Sequence, residues 1–144
     1  MHWFDSQLQV LYQLAEAYQK CRNNSFDDAE ETRKTRTEFI NSVQELVDSV
    51  VKLSDISGCV AGHDGFILAK AGSIVDSDAL GVMLQESMLI AERSNKLLAL
   101  GKIQQILIVG EKNKIAMISI GQLTLGIVSS KHINLADTLS QDPN

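Results

Sequence analysis

Three side chains suited to chemistry stand close together: Cys59, His63 and Asp64. A thiol, an imidazole and a carboxylate are the parts of a nucleophilic triad or of a metal site. Their setting argues for neither. Cys59 precedes a hairpin turn by several strand positions, and no second ligand recurs at a metal-binding spacing. Asp64-Gly65 is explained by turn chemistry alone. Gly58, Gly62 and Gly65 are spaced like a phosphate loop, but they lead into a strand and no Lys-Ser/Thr pair opens a helix behind them. The expectation is no catalytic residue, no metal and no cofactor.

A second polar group is Gln85, Glu86, Glu92, Arg93 and Lys96, which share a helical stripe. One reading is a solvated face. The other is a docking surface beside a subunit seam, where charges set partner choice.

The elements that hold these residues follow from periodicity. Asp5 to Cys21 is predicted helical, with Leu8, Leu11, Tyr12, Ala15 and Tyr18 at three- and four-residue steps. Arg22 to Ser25 breaks it, and Ser25 with Asp28 offers N-cap chemistry. A second helix is expected from about Phe26 to Leu53, with Phe39, Val43, Leu46, Val50 and Leu53 on one side. Strands Ile56–Gly62 and Phe66–Lys70 flank the Asp-Gly turn. Asp76-Ser77-Asp78 offers N-cap chemistry for a long helix ending near Leu100, where Gly101 sits as a left-handed C-cap. Strands Ile103–Val109, Ile115–Ile120 and Leu123–Ser129 form a meander. Ile133–Leu139 is a short final helix, and 140–144 reads as a frayed tail. The order predicts an α+β sandwich on a five-stranded sheet.

The chain has 144 residues, enough to bury a core without a disulfide or metal staple. Its net charge of −5 argues against a nucleic-acid partner, since phosphate binding needs a basic patch. No apolar run approaches the roughly 20 residues that span a bilayer. No cationic stretch opens the chain, so a cytoplasmic protein with reduced Cys21 and Cys59 is expected.

The middle helix carries more apolar surface than one sheet can cover. At ~100° per residue, Leu80, Leu84, Ala91 and Leu98 form one stripe, as a sheet-packing face would. Met83, Ile90 and Leu97 widen it on one flank and Met88 on the other. Val82, Leu89 and Leu100 lie nearly opposite. Such a helix is usually buried on two sides, so a second subunit is a natural cover. Scattered exposed residues, or cover by the N-terminal helix, are the alternatives. The strand at Ile106 to Val109 has no charge or proline to guard it as an edge. The expected homodimer interface is therefore Val82, Met83, Leu89, Ile90, Leu97 and Leu100 on the helix, with Ile106 and Ile108 on the strand.

Ile56 to Ala69, the Asp-Ser-Asp-Ala-Leu start at position 76, Ala91-Glu92-Arg93, and Leu100 to Ile108 together resemble the roadblock/dynein light chain family. The resemblance covers about Phe39 to Lys131. It implies a longin/roadblock-like five-stranded antiparallel sheet with a long helix on one face. It also implies dimerisation through the middle helix and the third strand. Family members are non-enzymatic scaffolds or regulators, commonly of Ras-like small GTPases. Members similar to the bacterial gliding-motility type act as GTPase-activating dimers. The implied organisation is an N-terminal helical extension at 1–25, a roadblock-like domain at 26–139 and a tail at 140–144. The implied function is a homodimeric adaptor that binds a small GTPase and acts on its nucleotide cycle. The alternative is a scaffold subunit of a larger motor or secretion-type complex without a GTPase. Gly81 departs from the pattern, where a small helix former such as alanine is usual, and is expected only to cost helix stability.

Overall fold

The computed structural model describes residues 2–23, 29–74, 76–141 and 143. Two helices, α1 (His2–Asn23) and α2 (Ala29–Val50), lead into a hairpin of β1 (Ile56–His63) and β2 (Phe66–Gly72). Helix α3 (Ser77–Leu98) follows, then the meander β3 (Gln105–Val109), β4 (Asn113–Ile120) and β5 (Leu123–Ser130), and the short α4 (Leu135–Leu139). The Ser25 and Asp28 cap lies outside the described residues.

All pairings in the sheet are antiparallel, in the order β2-β1-β5-β4-β3. β5 closes the meander and lies beside β1, which makes these two strands the centre and leaves β2 and β3 as edges. The hairpin turn rests on Asp64 and Gly65, both at positive φ (51° and 84°), as the Asp-Gly pair requires.

Alternation along the strands divides the apolar side chains between two faces. On one face Val43, Leu46, Val47 and Val50 of α2 pack with Cys59, Ala61, Leu125 and Ile127. Helix α1 lies alongside α2, burying Phe4 and Leu11 in the same core. Its Tyr12 ring comes within 3.5 Å of where a Cβ on Gly121 would stand, in the β4–β5 turn. On the other face Leu84 of α3 is buried with Val60 and Met117, and Ile67, Leu80, Met88, Ile106 and Ile115 pack around them. The sheet is thus sandwiched, with α1 and α2 on one side and α3 on the other.

Glycine sets how closely α3 approaches. A Cβ on Gly126 would stand 3.1 Å from Leu84 Cδ2, and one on Gly81 would stand 2.9 Å from the Gly65 carbonyl oxygen. Gly81 is therefore a packing requirement rather than a simple loss of helix stability, which corrects the expectation from sequence. Of the three N-cap candidates Asp76, Ser77 and Asp78, Asp76 is the cap, its carboxylate accepting from the Ala79 amide at 3.1 Å.

The far end of α3 differs from expectation. The left-handed residue that stops the helix is Ala99 (φ 53°), not Gly101, although Gly101 is left-handed too (φ 81°). Asn95 makes the early stop possible, its side-chain oxygen accepting from the Leu100 amide at 2.7 Å. Leu98 falls on the sheet-facing stripe of the wheel but is 64% exposed. The stripe fades along the helix, from buried Leu84 through half-buried Ala91 to exposed Leu98.

Candidate functional site

Cys59 and His63 lie on the same face of β1, four positions apart. At about 3.3 Å per residue that separates them by about 13 Å along the strand. The Cys59 thiol is fully buried in the α2-side core, and desolvation pushes its pKa up, away from the thiolate a nucleophile needs. His63 Nδ1 lies 3.0 Å from the Gln122 carbonyl oxygen, which only accepts, so this nitrogen donates. Nε2 lies 3.2 Å from Asp64 Oδ2. The imidazole therefore ties the β1–β2 turn to the β4–β5 turn. Among the described residues, no group of His, Cys, Asp and Glu is arranged to hold a metal ion. The Cys59, His63 and Asp64 cluster is thus two separate structural details rather than an assembled site.

The apolar excess on α3 is real surface. Val82, Met83, Leu89, Ile90, Leu97 and Leu100 are all exposed, Leu97 to 88%. Ile108 on β3 is exposed as well, whereas Ile106 is half-buried against the α3-side core. β3 hydrogen-bonds to β4 along one side only, and its other side has no partner strand among the described residues. Exposed apolar side chains thus run along the α3 flank and onto the β3 edge strand. Leu98, and Leu107 and Val109 on the opposite face of β3, are exposed too, beyond the set expected from sequence. The alternation of β3 carries the signal for the last two: in a strand covered on one face only, every second residue must point away from the helix.

The polar residues Gln85, Glu86, Glu92, Arg93 and Lys96 are all solvent-accessible. They do not form one patch. Gln85 and Glu92 line a shallow groove with Met88 and Leu89, where α3 passes the β1–β2 and β4–β5 turns. Glu86 and Arg93 fall on the wheel beside the apolar flank instead, and Lys96 sits in the last turn.

A five-stranded antiparallel sheet in this order, with helices on both faces, is the roadblock/LC7 fold. Solved structures with the same fold include MglB of Myxococcus xanthus (TM-score 0.64, 16% identity, 69% of this chain and 77% of that one). The gliding protein MglB of Thermus thermophilus follows (TM-score 0.56, 17%, 72% and 79%). So does a Roadblock/LC7 domain from Streptomyces avermitilis (TM-score 0.55, 12%, 62% and 78%). No family model matches the sequence. The chain thus has the roadblock/LC7 fold, as MglB does.

Its sequence relatives are archaeal. The uncharacterized proteins MJ0310 and MJ1340 of Methanocaldococcus jannaschii are each 32% identical over 97 residues, covering 62% of this chain and 84% of theirs. The chain belongs to one family with these two proteins. Among the described residues no helix is long and apolar enough to cross a membrane.

Proposed function

We propose that this chain is a non-enzymatic, cytoplasmic adaptor that forms a homodimer and binds a small Ras-like GTPase. The observation that carries this reading is the joint exposure of the α3 flank and the unpaired β3 edge. Exposed apolar patches of this kind mark interaction sites, and a bare apolar strand edge invites a second strand. Val82, Met83, Leu89, Ile90, Leu97, Leu100, Ile106 and Ile108 would form the seam between two copies. Gln85, Glu86, Glu92, Arg93 and Lys96 would border it as the surface offered to the GTPase. Residues 26–139 would be the roadblock-like unit, with 1–25 an added helix and 140–144 a tail.

The similarity in fold to MglB supports this class of role. Regulation would be indirect: the dimer shifts the GTPase toward the nucleotide state it binds more tightly, and equal affinity for both states would shift nothing. The test is sedimentation of the pure chain at micromolar concentration, then capture of GTPases from source cytosol loaded with either nucleotide. A single-copy species removes the dimer. A dimer that recovers no GTPase in either state removes the regulator. One MglB structure is described with a tetrameric arrangement, so sedimentation should also resolve four copies from two.

The rival reading is a scaffold subunit of a larger complex. It draws on Val10 and Tyr12, which α1 leaves exposed. Loss of a native complex in Val10→Asp, with the dimer intact, favours it.

A further inference from the structure

A cavity of about 150 Å³ lies on the sheet face opposite α3, between α1, α2 and the strand ends. Its walls are apolar: Tyr18, Phe39, Ile40, Leu68 and Leu123. The Tyr18 and Phe39 rings stack with centroids 6.0 Å apart and make a flat, stiff side. Arg36 also lines it. Among the described residues no acidic side chain lines it, and no carboxylate lies within ion-pair distance of Arg36. His63 lines it as well, its ring held by the Nδ1 hydrogen bond to the Gln122 carbonyl oxygen and its Nε2 turned to Asp64, so it forms part of the wall. The cavity therefore combines apolar walls with a solvent-exposed guanidinium that no carboxylate among the described residues holds.

We propose that this cavity binds a small apolar monocarboxylate, of about the size of a single six-membered ring or a short branched acyl chain. The volume sets the size, since a cavity of this order accepts about one benzene ring. The Arg36 guanidinium sets the charge, since it matches a carboxylate in a two-pronged geometry that an alcohol or amide does not reproduce. Ala15, Tyr18 and Gln19 of α1 supply one wall, so the site exists only where α1 is docked. It lies on the other side of the sheet from the α3 surface and does not depend on the dimer or GTPase reading.

The probe is benzoate against the full-length chain, followed by calorimetry or ligand-observed NMR, with benzamide as the uncharged match. Saturable benzoate binding is expected, weakened about tenfold or more for benzamide and for Arg36→Gln. Leu68→Phe, which fills the cavity from its wall, should abolish binding while circular dichroism and sedimentation stay unchanged. Three results each overturn the proposal: no saturable binding of benzoate, hexanoate or isovalerate; equal affinity for benzoate and benzamide; or full affinity in a folded Arg36→Gln.

Discussion

The Cβ that Gly81 lacks would stand 2.9 Å from the carbonyl oxygen of Gly65, so α3 rests directly on the backbone of the β1–β2 turn. The same position is 3.0 Å from Ile67 Cδ1. A flexible side chain can yield a few tenths of an ångström, but a turn carbonyl in a hydrogen-bonded hairpin yields less easily.

Gly81→Ala therefore sets two effects against each other. Helix propensity favours alanine by about 1 kcal/mol. Forcing a methyl into a close backbone contact costs about 1–3 kcal/mol. The expected outcome is a net loss of about 1 kcal/mol, read as a lower urea midpoint. A raised midpoint would mean that α3 lifts off the turn freely.

Leu97 is the most exposed apolar residue on α3, and Ile90 precedes it by two turns on the same flank. Ile90→Glu with Leu97→Glu should leave the monomer folded, because neither side chain is buried, and raise the dimer dissociation constant by at least about a hundredfold. Sedimentation equilibrium and circular dichroism on the same samples check both halves.

Leu84 is buried among Val60, Met117 and Gly126 on the α3 side. Leu84→Ala should cost about 2–5 kcal/mol, at the upper end if the sheet cannot close over the gap. Thermal and chemical unfolding both report it.

Burial raises the folded-state pKa of Cys59, so the unfolded chain gives up this proton first. Stability is full below the ordinary thiol value of 9.0 and is lost as pH climbs beyond it. The wild-type protein should lose about 1.4 kcal/mol per pH unit above that point that Cys59→Ala does not lose. Urea titrations of both chains at about pH 8 and about pH 10 give the difference, in which the other titrating groups cancel.

Phe4 and Leu11 tie α1 into the core beside α2. Phe4→Ala with Leu11→Ala should destabilise by about 4–6 kcal/mol and expose the surface that α1 covers. Dye binding at mild urea concentrations should rise with it. Removal of α1 altogether would thus test folding as much as docking, so a surface change such as Val10→Asp is the cleaner probe of α1 contacts.

Much of this arrangement is legible in the residues, for identifiable reasons. Asp64-Gly65 marks a hairpin because few other pairs accept two positive φ angles in succession. Asp76-Ser77-Asp78 marks the start of α3 because a short polar side chain there can accept from an amide a few residues on. The apolar width of α3 predicts exposed residues at Val82, Leu89 and Leu97 because a wheel depends only on helical pitch. What stays hidden depends on neighbours distant in sequence. Leu98 obeys the wheel, but a wheel does not say where the sheet beneath ends. Gly81 looks like a defect because the Gly65 carbonyl that excludes a methyl there belongs to another element. The cavity lined by Arg36 needs α1, α2, β1, β2 and β5 to meet, and no local pattern announces that.

The two margins of the sheet are not alike. On β2 the Lys70 carbonyl accepts from Gln44 Nε2 of α2, and the Lys70 ammonium reaches Ser77 at the start of α3. On β3 no such side chains stand guard among the described residues. An approaching strand therefore meets a carbonyl already taken at Lys70, and a bare backbone along β3. Joining is biased to one border, and Gln44→Ala, which frees the Lys70 carbonyl, should weaken that bias.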